Sequence, residues 1–309
     1  MLAALLPHRG LVAVSGPGAQ EFLQGLISND VRLAGPDRAL WAALLTPQGK
    51  FLHDLFVLHD GERIFLECER DRRQDLLKRL RLYKLRAKVE LEDLAEAWTV
   101  AVAFGTPGTI APGLPAGAAA GEAVAFAGGR AFVDPRLPDL GWRIWLPAEG
   151  AEQALAESGL SLTDPEAYER HRLALGVPDG SRELEVDRAL LLESGFDELH
   201  GIDWKKGCWM GQELTARTKY RGLVKKRLLP VAFEGAPPPA GAPVLRDGRD
   251  IGTFRGGVAG SEGGIGLALL RLEALAPGAP LEAEGVVLHP RVPDWVSLPP
   301  DVESSRPAG

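Results

Sequence analysis

The sequence predicts an α+β protein that ends in a small β-barrel. Three observations lead there: strand-like and helix-like segments follow one another with antiparallel meanders from Leu11 to Leu146, helical spacing governs Ala151 to Leu175, and short alternating runs broken by Gly/Pro turns return after Lys225. At 309 residues, 45% hydrophobic and 25% charged, the chain can build two or three units, each with its own core. It contains no internal repeat.

Leu11 to Ser15 alternates as a strand, and Gly16-Pro17-Gly18 turns the chain into a helix from Ala19 that is expected to stop near Asn29-Asp30. Trp41 to Leu45, Phe51 to Leu58 and Arg63 to Cys68 read as a strand meander, the first two joined by the turn Thr46 to Lys50. Asp71 to Tyr83 has apolar positions at Leu76, Leu77, Leu80 and Tyr83 with bases between them, so one face should pack on that sheet. Strands are expected at Val89 to Leu91, Trp98 to Phe104, Arg130 to Val133 and Trp142 to Leu146, with Gly105 to Gly129 as a loop. Ala151 to Ser158 and Pro165 to Leu175 read as helices, the second capped by Thr163-Asp164 with Pro165 in its first position. Short strands around Pro243 to Leu245, Ile251 to Phe254, Ile265 to Leu270 and Val286 to Leu288 make the barrel. Its span is 231–296, after a region at 1–230 made of two interleaved α+β units, and 297–309 reads as a disordered tail.

No apolar run reaches the roughly 20 residues that span a bilayer, and the start MLAALLPHRG has no basic leader, so a non-membrane, cytoplasmic protein is expected. Two cysteines, Cys68 and Cys208, are too few for a disulfide framework or for a metal centre of about four protein ligands, and the six histidines show no ligand spacing. No metal site is assigned, and any metal role would need a partner's ligands. The net charge of -7 argues against general nucleic-acid binding. The basic helix from Arg70 to Lys88 is read as a solvated face, and direct RNA binding is not expected. Between Lys205 and Arg227, however, eight bases stand against the single acid Glu213, which suggests an anionic small ligand or a confined partner patch.

Chemistry concentrates in Trp204 to Arg217. Gly207 and Gly211 flank Cys208 and permit a tight turn that brings the thiol to a ligand, while Lys205 and Lys206 could favour its thiolate. Equally, Cys208 could be a small buried hydrophobe in a glycine turn.

The run Lys206-Gly207-Cys208-Trp209-Met210-Gly211-Gln212-Glu213, then Ala216-Arg217 and Tyr220-Arg221-Gly222, resembles the signature of the YgfZ family. Phe22 to Val31, Thr46 to Lys50, Asp134-Pro135-Arg136 and Arg172 to Pro178 fall in the same order as that family's other motifs. The resemblance implies an α+β cloverleaf of three units around a central hole that binds tetrahydrofolate or a one-carbon derivative. It implies a ferredoxin-like unit, a terminal β-barrel, and kinship with the glycine-cleavage aminomethyltransferase. The function implied is support of iron-sulfur cluster assembly or repair, and through it of cluster-dependent tRNA modification, with assembly proteins or cluster enzymes as partners.

On that reading Cys208, Lys206 and Asp54 are the candidate reactive residues, and Asn29, Gln48, Glu193, Gly207, Trp209, Gln212, Glu213, Arg217 and Arg221 the candidate folate contacts. Arg217, Lys219 and Arg221 could pair with the folate carboxylates or simply form a solvated basic face, Glu193 could pair with the pterin's donors, and Trp209 could offer a stacking surface. The aminomethyltransferases carry paired acids where this chain has His53-Asp54, and Ala174 stands where they have another acid. Both departures count against simple aminomethyl transfer, and a one-carbon transferase using Asp54 as general base stands as the alternative to an accessory protein.

Overall fold

The computed structural model describes residues 1–106, 112–261 and 263–299. Two compact units divide the chain: the first takes Met1–Gln48, Leu52–Tyr168 and Leu199–Gln212, the second Gly49–Phe51, Glu169–Glu198 and everything from Glu213 onward.

In chain order the first unit begins with β1 (Leu2–Leu5), β2 (Arg9–Ser15), α1 (Ala19–Gln24), β3 (Ala39–Leu45), β4 (Phe51–His59), β5 (Arg63–Glu69) and α2 (Arg73–Lys84). β6 (Glu90–Asp93), β7 (Trp98–Phe104), β8 (Ala123–Phe126), β9 (Gly129–Val133), β10 (Trp142–Pro147), α3 (Ala151–Glu157) and β11 (Ser161–Leu162) complete it. Two sheets result, ordered β3-β4-β5-β2-β6 and β11-β1-β7-β10-β9-β8. β3 is buried along its whole length, which is why it reads as an apolar run rather than alternation, and β4 is nearly as buried although it carries His53 and Asp54. α1 ends at Gln24, earlier than Asn29, because the amides of Leu26 and Ile27 both turn back onto the Leu23 carbonyl. α2 buries Leu76, Leu77 and Leu80, but Tyr83 is exposed, one position beyond the stripe that the sheet can cover. The stretch expected as a loop after Gly105 holds β8, paired with β9; residues 107–111 lie outside the described residues.

A buried chain of charges ties the two sheets of this unit. Glu67 on β5 accepts from Arg9 Nε at 2.9 Å, from Arg143 Nη2 at 2.6 Å and from Trp145 Nε1 at 2.7 Å. Burial alone would raise the Glu67 pKa, but Arg143 and Arg9 hold it below the usual carboxylate value. The chain extends from Arg9 to Asp54 at 3.1 Å at one end, and through Asp134 to Arg136 at the other. Three guanidiniums, those of Arg9, Arg136 and Arg143, lie against the Phe56 ring.

α4 (Pro165–Ala174) leads out of the first unit, and Asp164 caps it by accepting from the Glu166 amide at 2.8 Å. The second unit continues through α5 (Gln212–Tyr220) into the barrel, formed by β12 (Lys226–Phe233), β13 (Pro243–Arg246), β14 (Arg249–Val258), β15 (Gly264–Arg271), β16 (Leu281–Ala283) and β17 (Val286–Pro290). The order β12-β15-β14-β13-β16-β17 closes where Val231 and Ala232 meet Pro290 and His289. Phe233 and Phe254 cross edge to face inside it, 5.9 Å between ring centres. A Cβ on Gly264 would lie 2.0 Å from the Phe233 ring, so this strand position requires glycine. The first barrel strand starts at Lys226, ahead of the boundary expected at 231. Of the expected tail, Leu298 packs with Leu229 and Val296, while residues 300–309 lie outside the described residues.

Candidate functional site

In the first unit, the loop from Leu199 to Gln212 is stitched to the segment after α1. Ser28 Oγ donates to the Gly201 carbonyl at 2.6 Å and accepts from the Ala43 amide at 2.8 Å. Asn29 Nδ2 donates to the carbonyls of Trp41 and His200 at 2.7 and 2.8 Å, and its Oδ1 accepts from the Asp30 amide. Gln24 reaches the Lys206 carbonyl, and the Met210 amide donates to Gly25. At about 0.5–1.5 kcal/mol net for each hydrogen bond, the set fixes a segment that has no regular structure of its own. The Asn29 amide is occupied internally, so this side chain serves as a clamp at the edge of a cavity.

Lys206 is the centre of the clamp. Its ammonium is buried and donates to the carbonyls of Ile27 at 2.5 Å and Asn29 at 2.7 Å. Burial pushes its pKa down to about 8, against the nearby carboxylates of Asp30 and Asp203. Asp30 in turn is held below the usual carboxylate value by its bond to Arg32.

Beyond Lys206 the chain turns outward. Gly207 has φ +95°, a conformation open to glycine, with free space where a Cβ would stand. Cys208 is exposed. The other thiol, Cys68, is buried and its pKa is pushed up to about 12 by desolvation, so the two cysteines differ sharply in access to solvent and in Cys68's inertness. Trp209 folds back inside, its ring only 5% exposed, which removes it as a stacking surface. Its indole N–H is buried and meets no acceptor among the described residues. Gln212, half-buried, opens α5, while Gln48 is exposed in its turn.

Asp54 does not face a ligand. It is 1% exposed, bound to Arg9 and 3.4 Å from the Trp41 indole nitrogen, which makes it an internal counter-ion instead of an available general base. Next to it His53 is buried on Asp75, its pKa pushed down to about 4 by burial and by Arg72.

A cavity of about 530 Å³ in this unit is lined by Asn29, Arg38, Trp41, His200, Trp204 and Lys205 among others. Reading the chain residue by residue missed Arg38, His200 and Trp204 as a group. Their separation in sequence gives no signal, and only the clamp around Ser28 and Asn29 unites them.

In the second unit, Glu193 is half-buried and its pKa is raised by desolvation, although Lys226, Lys50, Arg255 and Arg227 surround it and pull the other way. No hydrogen bond to its carboxylate occurs among the described residues. Arg227 is anchored to the Leu192 carbonyl and to Glu198. On α5, Lys219 pairs with Asp197 at 2.7 Å, whereas Glu213, Arg217 and Arg221 are exposed. Among the described residues no cluster of three or more His, Cys, Asp or Glu could hold a metal ion, and no helix is long and apolar enough to cross a membrane.

Comparison with known proteins fits this architecture. The glycine cleavage system aminomethyltransferase T of Bartonella henselae superposes with a TM-score of 0.75 at 18% identity, covering 95% of this chain and 86% of its own. Residues 225–298 match the family described as the CAF17, C-terminal beta-barrel domain. The class is therefore an aminomethyltransferase-like α+β fold carrying a CAF17-type barrel. Within it, the human iron-sulfur cluster assembly factor IBA57, mitochondrial, is 38% identical over 311 residues, covering 94% of this chain and 84% of the human protein. The mouse protein of the same name is 35% identical with the same coverage, and the homolog from Mycosarcoma maydis is 36% identical, although this chain spans only 59% of that protein's length. The chain belongs to the IBA57 family. All three of these relatives are named mitochondrial, which overturns the cytoplasmic placement expected from the opening residues.

Proposed function

We propose that this chain is a tetrahydrofolate-binding accessory protein for iron-sulfur cluster assembly, of the YgfZ type within its family, that supports cluster enzymes including those of tRNA modification. The observation that carries the reading is Cys208, an exposed thiol beside a glycine hinge on a loop whose base is fixed by the buried Lys206 ammonium. One thiolate is one ligand of the about four that a cluster requires, so an assembly partner would supply the others. Lys206 acts as a positioning residue, setting where the loop leaves the fold.

For folate, the donor and acceptor sets fit in part. Glu193 offers a half-buried carboxylate free of hydrogen bonds for the amino-pyrimidine N–H groups, and Arg217 and Arg221 offer guanidiniums to the carboxylate tail. Bound tetrahydrofolate would supply one-carbon carriage. Trp209 and Asp54 are left out of this reading, because each is buried within the first unit. The engagement of Asp54 with Arg9 favours the accessory reading over the transferase alternative.

Two measurements test the proposal. Titration with tetrahydrofolate should saturate for the wild type and weaken at least about tenfold for Glu193→Gln. Absence of saturable binding removes the folate half. In cells lacking the protein, Cys208→Ser should fail to restore a cluster-dependent enzyme while accumulating as folded protein; full restoration removes the thiol.

A further inference from the structure

The end of α2 places three large apolar side chains in solvent within four residues: Leu82 is 66% exposed, Tyr83 40% and Leu85 88%. The same turn is strained. The Ala87 amide donates to the Lys84 carbonyl at 2.7 Å, closing a four-residue turn whose first central residue is Leu85, at φ 42° and ψ −107°. That backbone belongs to a type II′ turn, where glycine is the natural occupant. A leucine held there needs compensation from its surroundings. Among the described residues it finds none, since almost all of the side chain is in water.

Charge marks the same place. Lys78, Arg81, Lys84, Arg86 and Lys88 lie on the same stretch of chain as the three apolar groups, and none makes an ion pair among the described residues. Other bases of the helix are paired: Arg73 with Asp93, and Arg79 with Asp75. The basic end stands on a chain of net charge -7, so it is a local feature and not the edge of a general field.

We propose that this end of α2 is a docking surface for an acidic protein segment with an apolar pocket or ridge that takes Leu82 and Leu85. Burial of the two leucines by the partner compensates the strained turn, and its carboxylates neutralise the five bases. Phosphate chains are a poorer occupant, because leucines contribute nothing to a phosphate contact. A bilayer is also poorer, because α2 cannot lie flat in the interface: Leu76, Leu77 and Leu80 are already buried as the helix packs on β2 and β6. The surface is independent of the Cys208 and folate readings, and its test uses neither.

The test uses the full chain and three probes: a labelled helical peptide of Glu, Asp and Leu, phosphatidylcholine vesicles containing phosphatidylserine, and a short single-stranded RNA. The wild type should bind the peptide in preference to vesicles and RNA, more weakly as salt rises. Leu82→Ser and the pair Lys84→Glu with Arg86→Glu should each weaken it at least about tenfold. Leu85→Gly carries the sharpest expectation, since it should raise Tm by about 2–4 °C while weakening the peptide. No peptide binding, equal binding by all variants, or preference for vesicles or RNA overturns the proposal. So does a Leu85→Gly protein that is less stable than the wild type.

Discussion

Asp54→Asn separates a counter-ion from a catalytic base. The substitution keeps the shape of a side chain that is 1% exposed and removes the charge facing Arg9 at 3.1 Å. Arg9 retains Glu67 at 2.9 Å, so its guanidinium is left partly and not wholly uncompensated. The expected loss is therefore about 1.5–3 kcal/mol, the range for a hydrogen bond to a charged group. A fully orphaned buried charge would lose more, about 3–5 kcal/mol. At about 2–4 °C per kcal/mol for a unit of this size, Tm should fall by about 3–12 °C. Thermal and urea unfolding measure the loss, and restoration of a cluster-dependent enzyme, normalised to folded protein well below the transition, measures function. The counter-ion reading expects lower stability with activity per folded molecule retained. A variant of unchanged stability and abolished activity would refute it and return Asp54 to the chemistry.

Two further expectations follow from buried titrating groups. His53 takes its proton at about 4 when folded and at 6.5 when unfolded, so the unfolded chain binds more protons between these values and stability falls as pH drops through that window. The loss at pH 5 should be about 2 kcal/mol and should shrink in His53→Asn; urea midpoints that fall equally for both proteins contradict it. Lys206 is depressed from 10.5 to about 8, so stability should rise by about 2 kcal/mol between pH 7 and 9.5 as the folded state sheds a buried proton first. Lys206→Met should lack that increment, and wild-type and variant curves that stay parallel over the interval would show that the ammonium is not desolvated.

The meander and four of the six barrel strands were legible because they are bounded by their own turn residues, a local signal that needs no partner, whereas β16, three residues long, went unread. The Lys206 to Glu213 run was legible too, since a glycine hinge beside a thiol is a property of adjacent residues. β8 was hidden in a Gly/Ala/Pro stretch because its strand state depends on pairing with β9. β1 and β11 are likewise short strands that exist through their neighbours in the sheet.

What the sequence by itself determined is the α+β class, the presence of a closing barrel and the loop that carries Cys208. Tertiary structure alone decided which polar side chains remain available. Asp54, Asn29 and Trp209 look available in a string of letters, yet each lies in the interior, two held by groups far along the chain: Arg9 for Asp54 and the His200 carbonyl for Asn29. The physical reason is that a buried charge or amide must find its partner wherever the fold brings one, and that choice is made by burial over long range, not by spacing along the chain.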